Sequence, residues 1–309
     1  MNPGHPLISI ITINFNNTKV TCEFLESTKK LTYRNFEIIV VDNASIENPT
    51  SIISKNYPDV KLIVNKKNLG FSGGNNTGIA VAQGDYIFLV NNDTEVTPDL
   101  FEKLIASFQN DNSIGLISPK IKYFSHPDII QYAGFTPINP FTGRNKCIGD
   151  HEIDRGQHDT PGYTPYAHGA AMFLKREVIE KAGTMADLFF LYYEELDWSE
   201  RIRNAGYRIY YEPQATIFHK ESLSVGKNSV LKTYYLTRNR ILFMRRNVSG
   251  IKSIFWPFFL ILISFPKNTV SFIIKKEFDH LKAFYQGIIW NLTHFKNGTK
   301  RSFIAKRNS

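Results

Sequence analysis

The sequence predicts an α/β fold on a mixed, mainly parallel sheet flanked by helices, and three observations carry that prediction. Apolar runs rich in Ile, Val, Leu and Phe alternate with segments of helical spacing through residues 7–90. The βαβαβαβ order implies a mainly parallel sheet covered on both faces. The runs stop on polar side chains, with Asn14–Asn16, Asp42 and Asp93 at carboxyl ends. Open α/β sheets take their ligands there.

Each element has its own signal. LISIITINF (7–15) is a β-rich run, and TCEFLESTKKL (21–31) sets Phe24, Leu25, Thr28 and Leu31 on one helical side. FEIIVVDNAS (36–45) is a second strand ending in Asp42; a short helix at 50–57 and a strand at 60–65 follow. Residues 73–84 (GGNNTGIAVAQG) read as a loop feeding a small-residue helix, and DYIFLV (85–90) as the next strand. Pro98 stands near the start of a helix over 97–111, and 114–124 is a further strand. Residues 125–165, rich in Pro, Gly, Asn and His, read as a long loop with short strands. Loops of that length are often functional. Residues 167–183 give a strand and a helix stopped by Gly183; 191–213 give a helix ending at Gly206, then a strand.

Composition bounds the class. With 42% hydrophobic and 21% charged residues among 309, the chain is globular and long enough for a large α/β domain plus an appendage. Two cysteines, Cys22 and Cys147, are too few for a disulfide framework and point to a reducing compartment. The start, MNPGHPLISIITI, lacks a basic region followed by a small-residue cleavage site, so a cytoplasmic location is expected. The net charge of +9 is uneven. Residues 1–222 hold 21 Lys and Arg against 26 Asp and Glu, a balance of −5. Residues 223–309 hold 16 against Glu277 and Asp279, a balance of +14. The expected division is therefore a catalytic domain over 1–222 and a basic, aromatic-rich helical region over 223–309.

That basic region carries two apolar stretches. IFWPFFLILISF (254–265) is shorter than the ~20 residues a spanning helix needs, and Pro257 and Pro266 frame it poorly. SFIIKKEFDHLKAFYQGIIWNL (271–292) mixes bulky apolar and basic groups. Together they predict attachment to an anionic membrane surface; the alternative is ordinary helical packing against the first domain. A nucleic-acid partner is not expected, because the front is acidic and no nucleic-acid motif is present.

Four constellations carry chemistry. Asp93, in FLVNNDTEV, can ligate a hard divalent cation at a strand end, or cap the helix that follows. Asp42, in VVDNAS, can accept from a base imide or ribose hydroxyl, or close an Asx turn. In NKKNLGFSGGNNTG (65–78), Gly70, Gly73, Gly74 and Gly78 allow close backbone approach, with amides that can face phosphate. In YYEELDWSERIRNAG, Glu194, Glu195, Asp197 and Glu200 crowd a helix start, with Asp197 and Arg201 paired at i,i+4. One carboxylate there suits a general base, and the residues alone do not separate Glu194 from Glu195.

The ordered set IITINFNN, IIVVDNAS, NLGFSGGNNTGI, GDYIFLVNND, HGAAMFLKREVIEKAG, FFLYYEELDWSERIRNAGYRIYYEPQATIFH and YYLTRNRILFMRR resembles family 2 glycosyltransferases, and more narrowly their bacterial rhamnosyltransferase-like branch. The resemblance covers roughly residues 7–246. It implies a GT-A fold, a nucleotide-sugar donor (dTDP-rhamnose first, a UDP-sugar next), Mg²⁺ or Mn²⁺, and transfer with inversion to a glycan or lipid-linked glycan. It assigns Asp42 to a uracil or thymine imide; Asn14, Phe15 and Asn16 to the nucleotide; Asn68, Gly70 and Asn76 to the donor pocket. Asn91–Asn92–Asp93 stands at the D-x-D position, with only Asp93 acidic. His219 would contact metal or diphosphate, and His168 and Gly169 would border acceptor and donor sugar. Glu195 falls on the base position, beside Glu194, with Asp197 in support. Arg238 and Arg240, in YYLTRNR, could meet a lipid diphosphate, headgroups or solvent.

Overall fold

A computed structural model of the chain describes residues 5–220 and 229–295. Ten strands form one sheet: β1 (Ile8–Asn14), β2 (Phe36–Asp42), β3 (Lys61–Val64), β4 (Tyr86–Val90), β5 (Thr94–Val96), β6 (Ile114–Tyr123), β7 (His126–Tyr132), β8 (Gly162–Tyr163), β9 (Ala171–Lys175) and β10 (Arg208–His219). The order is β3-β2-β1-β4-β9-β6-β10-β5, with β7 on β6 and β8 on β10. The helices are α1 (Thr18–Thr28), α2 (Thr50–Asn56), α3 (Gly70–Val81), α4 (Leu100–Asn110), α5 (Arg176–Ala182), α6 (Glu194–Asn204), α7 (Val230–Asn247), α8 (Lys252–Phe259), α9 (Phe265–Ile274) and α10 (Phe278–Thr293).

Strand periodicity sorts the core into two layers. Ile8, Ile10, Val40, Phe88 and Val90 pack under Phe24, Phe101, Leu104 and Phe108 of α1 and α4. The intervening Ile11, Ile39, Val41, Ile87 and Leu89 pack under Ile79, Val178, Trp198 and Ile202 of α3, α5 and α6. Parallel pairing joins β3, β2, β1 and β4, and again β6 with β10. β9 runs antiparallel to both β4 and β6, so the sheet is mixed and its second half is more antiparallel than expected. Much of the expected 125–165 loop is ordered. β7 turns back on β6, and Lys120, buried on β6, is paired with Asp154 at 3.2 Å and with Asp159.

Two expectations about helices need correction. Helix α3 starts at Gly70, not after Gly74. Gly74 and Gly78 face the sheet: a Cβ on Gly78 would lie 2.3 Å from Ile11 Cγ2, and one on Gly74 2.8 Å from Ile13 Cδ1. They permit close helix–sheet packing, not access for a ligand. In the C-terminal region, α8 and α9 run through a π turn (Leu260–Ser264) as one helix, Lys252–Ile274, of 23 residues and mean hydropathy 1.6. That is long and apolar enough to cross a membrane. Pro266 offers no N–H and crowds the preceding turn, and widening to a π turn is how the helix passes it. The expected division between residues 222 and 223 lies outside the described residues.

Candidate active site

The apolar run of β4 stops at Val90, and Asn91, Asn92 and Asp93 make the turn into β5. β5 pairs antiparallel with the end of β10, Thr94 opposite His219. This register brings Asp93 Oδ1 to 3.1 Å from His219 Nε2. The side-chain oxygen of Gln131 lies 2.8 Å from His219 Nδ1 and accepts its proton, so that in the neutral ring Nε2 carries the lone pair. Asp93 Oδ1 is buried without a hydrogen-bond partner. Two lone pairs facing each other, one orphaned, fit a cation between them. Adjacent ligands ~2.1 Å from an octahedral ion lie about 3 Å apart. Among the described residues no group of three or more His, Cys, Asp and Glu side chains could hold a metal. The protein thus offers two ligands, as sites completed by substrate phosphates do.

A buried polar chain runs from this turn to β1 and β2. Asn92 donates to Thr21 Oγ1 at 2.8 Å, Thr21 donates to Asn14 Oδ1 at 2.8 Å, and Asn14 donates to Asp42 Oδ1 at 2.7 Å. Ser45 donates to Asp42 through N–H at 3.0 Å and hydroxyl at 2.6 Å. Asp42 is 1% exposed. Its carboxylate closes an Asx turn, one of the two roles the sequence offers for it, and braces two strand ends. Asn16, exposed beside half-buried Phe15, pairs with the same turn through Ser45 and Ile46.

The glycine-rich loop is likewise scaffold. Asn43 donates to Asn68 Oδ1 and the Gly70 carbonyl, while its own oxygen accepts from Asn65 and the Leu69 N–H. The first free amides of α3, on Phe71 and Ser72, donate to the Phe190 carbonyl. They are not free for phosphate. Gly70 has φ +70°, and a Cβ there would meet that same carbonyl at 2.3 Å. Asn76 donates to the Met185 carbonyl and Asp187. Residues expected to touch the donor also tie the loops together.

The acids of α6 separate by environment. Glu194 is 3% exposed, and its Oε2 has no partner. Burial, then the neighbouring Glu195 charge, pushes its carboxyl well above the usual range. Glu195 is half-buried, and burial pushes it up to about 7. Its Cγ lies 3.9 Å from where a Cβ on Gly169 would sit. The adjacent His168 ring is centred 6.3 Å from that of His219. The two ends of the site therefore meet across His168–Gly169. Ala170 N–H donates to His168 Nδ1, which places the ring proton on Nε2. Burial, with His219 beside it, pushes the His168 pKa down to about 3.

Asp197 does not join them. It is 1% exposed and bonded to Arg201 (3.1 Å), Arg246 (2.8 Å) and Asn247 (3.0 Å). Burial would raise its carboxyl, but the Arg246 and Arg201 charges hold it below the usual range. It ties α6 to α7. Asp197→Ala is expected to lower stability by roughly 3–5 kcal/mol in urea unfolding, because two buried cations lose their partner. Arg238 and Arg240 are also buried, bonded to the Leu188 and Phe189 carbonyls and to Ser264, so of the roles the sequence offered neither is solvated. Gln131, Asn43 and Asn239 matter most among residues that sequence reasoning missed. Only Asn43, beside Asp42, had a local signal.

A mixed α/β sheet of this order, with acids and amides gathered at its strand ends, has the GT-A arrangement that the family resemblance implies. The chain belongs to glycosyl transferase family 2, whose model matches residues 9–183. It is 29% identical over 261 residues to an uncharacterized protein, y4gI, of Sinorhizobium fredii, covering 79% of this chain and 28% of that one. It is 22% identical over 244 residues to an N-acetylglucosaminyl-diphospho-decaprenol L-rhamnosyltransferase of Mycobacterium tuberculosis, covering 72% and 78%. Its fold is similar to that of a Pyrobaculum calidifontis mannosyltransferase in complex with GDP-Man and Mn²⁺: TM-score 0.56, 15% identity, 94% of this chain and 76% of that one.

Proposed function

We propose that this chain moves a sugar, with inversion, from a nucleoside-diphosphate sugar to a hydroxyl of a glycan or lipid-linked glycan. One observation carries the reading: the approach of Glu195 to the Asp93–His219 pair across His168–Gly169. Asp93 and His219 would hold Mg²⁺ or Mn²⁺, which when bound stabilises charge on a leaving diphosphate. Glu195 takes the proton from the acceptor hydroxyl. A carboxyl near 7 suits that task, because a base works best with a pKa near the operating pH. Burial, with Glu195 beside it, disfavours the charged form of Glu194. Turnover should rise with pH through about 7, as Glu195 loses its proton. The mycobacterial relative supports dTDP-rhamnose as first donor to test, with UDP-sugars next. Incubation with each donor and Mn²⁺ should release the nucleoside diphosphate, and release from neither would count against the reading.

The acceptor side is read from the C-terminal helices, at the cytoplasmic face of a membrane. Trp256, Leu260 and Ser264 form a buried stripe, while Phe258, Ile261, Leu262 and Ile274 are exposed. Only 11% of the apolar window is buried. Lys252, Lys275 and Lys276 stand at the ends of this helix, and Lys267 lies within it. Exposed apolar bulk beside positive charge suits an anionic lipid surface. Replacing Phe258, Ile261 and Leu262 with Ser in the full chain should weaken sedimentation with phosphatidylglycerol vesicles by at least ~10-fold. Unchanged sedimentation would remove the membrane from the proposal.

A further inference from the structure

The segment that delivers Glu195 is unusual in its backbone. Phe190, Tyr192 and Tyr193, none of them glycine, have φ of 65°, 69° and 72°. Non-glycine residues in this region persist only where the surroundings over-determine them. The carbonyls account for how this is done. Arg238 Nη2 donates to the Leu188 and Phe189 carbonyls at 2.7 and 2.5 Å. Asn239 Nδ2 reaches the Phe189, Leu191 and Tyr192 carbonyls at 2.9, 2.7 and 2.8 Å. The Phe190 carbonyl caps α3. Five consecutive carbonyls are thus satisfied from outside their own segment. Arg238 Nε donates to Asn239 Oδ1 at 2.7 Å, which fixes the amide with its NH₂ toward the carbonyls. The Phe190 ring stacks on Tyr235 at 5.1 Å, and Arg238 lies over Tyr235 and Trp290. Asn239 is completely buried, so no solvent can replace these donors.

We infer that Arg238 and Asn239 are positioning residues for Glu195: they lock residues 188–193 in the left-handed path that aims the first turn of α6 at Gly169. The inference rests on Glu195 acting as the base. A group set even 1 Å out of line loses much of its effect, on the order of 100-fold in rate. Loosening the segment also admits water to a carboxyl whose range is raised by burial, with Glu194, Tyr192 and Tyr193 facing it and Arg238 facing Glu194.

The test compares Asn239→Ala, Arg238→Lys and Glu195→Gln in the full chain. Nucleoside diphosphate release from dTDP-rhamnose and from UDP-N-acetylglucosamine is followed with Mn²⁺, and hydrogen exchange is read on the peptide spanning 188–197. Asn239→Ala should lower kcat about 100-fold, leave donor KM within about threefold, and move the acidic limb of kcat to lower pH. Arg238→Lys keeps charge without the planar fork and should lose about 10-fold. Exchange over 188–197 should rise at least ~10-fold while that of α4 stays unchanged. Wild-type kcat, acidic limb and exchange in these variants would overturn the inference, as would a rise in KM equal to the loss in kcat. If Asn239→Ala does not fold, Arg238→Lys decides by the same readouts. Normal turnover by Glu195→Gln would instead defeat the base assignment. An inactive Glu195→Gln beside a wild-type-like Asn239→Ala would defeat the positioning role alone.

Discussion

Glu195→Gln is expected to lose sugar transfer by ~10²–10⁴-fold, the range general-base removal gives, while donor affinity stays within about twofold. The amide keeps the shape of the side chain beside Gly169 and removes only its capacity to take a proton. The same change should make the fold more stable at alkaline pH. The sign follows from burial: the folded-state carboxyl sits near 7, above its ordinary value of 4.5. Ionised Glu195 is therefore disfavoured by folding, a penalty absent below about 4.5, growing between the two values and complete above about 7. The melting temperature of Glu195→Gln should exceed that of wild type at pH 8 and match it near pH 4. Glu194→Gln should also stabilise the fold at high pH, yet retain turnover, because Glu194 is sealed from substrate. Equal activity losses in the two variants would contradict that division of roles.

Asp93→Asn is the second large effect. The substitution removes the anionic partner of His219 and leaves the turn intact, since the Asp93 main-chain carbonyl still accepts from Lys220 N–H at 2.8 Å. Mn²⁺-dependent binding of nucleoside diphosphate should weaken by more than the ~10–100-fold that loss of an outer-shell partner gives. Gln131→Leu is the matching control. It frees His219 Nδ1 and should weaken the same binding by ~10–100-fold. Binding without Mn²⁺ should be unaffected in both. Calorimetric titration with UDP and dTDP, with and without Mn²⁺, reads these values, and unaltered Mn²⁺ dependence in Asp93→Asn would remove the cation from the site.

The early strands were legible because β1, β2 and β4 are buried on both faces and so are unbroken apolar runs. β7 was not: its HPDIIQY pattern is exposed at one end and sits in a Pro- and Gly-rich stretch. The start of α3 read as loop because glycine is a poor helix former, by about 1 kcal/mol per residue. Close packing of Gly74 and Gly78 on Ile13 and Ile11 overrides that preference. At the site, strand-end geometry made Asp93 visible, since β–α order dictates which ends gather, whereas Glu195, in the first turn of α6, was told from Glu194 only by the family resemblance. What could not be read was which polar groups bond to one another. Asp42 and Asn76 have the chemistry of ligand contacts, yet their partners are Asn14 and Ser45, Met185 and Asp187. Asn239 carries no local signal, because the carbonyls it serves lie 47 to 50 positions away.

The central claim is a single displacement at the anomeric carbon, with Glu195 as base and a diphosphate leaving group. NMR of the first products formed from a productive donor and Mn²⁺ tests it most directly. Proton spectra report the anomeric configuration, and phosphorus spectra the leaving group. Inversion with release of nucleoside diphosphate is the expected result. Retention of configuration, or pyrophosphate in place of the nucleoside diphosphate, would contradict it.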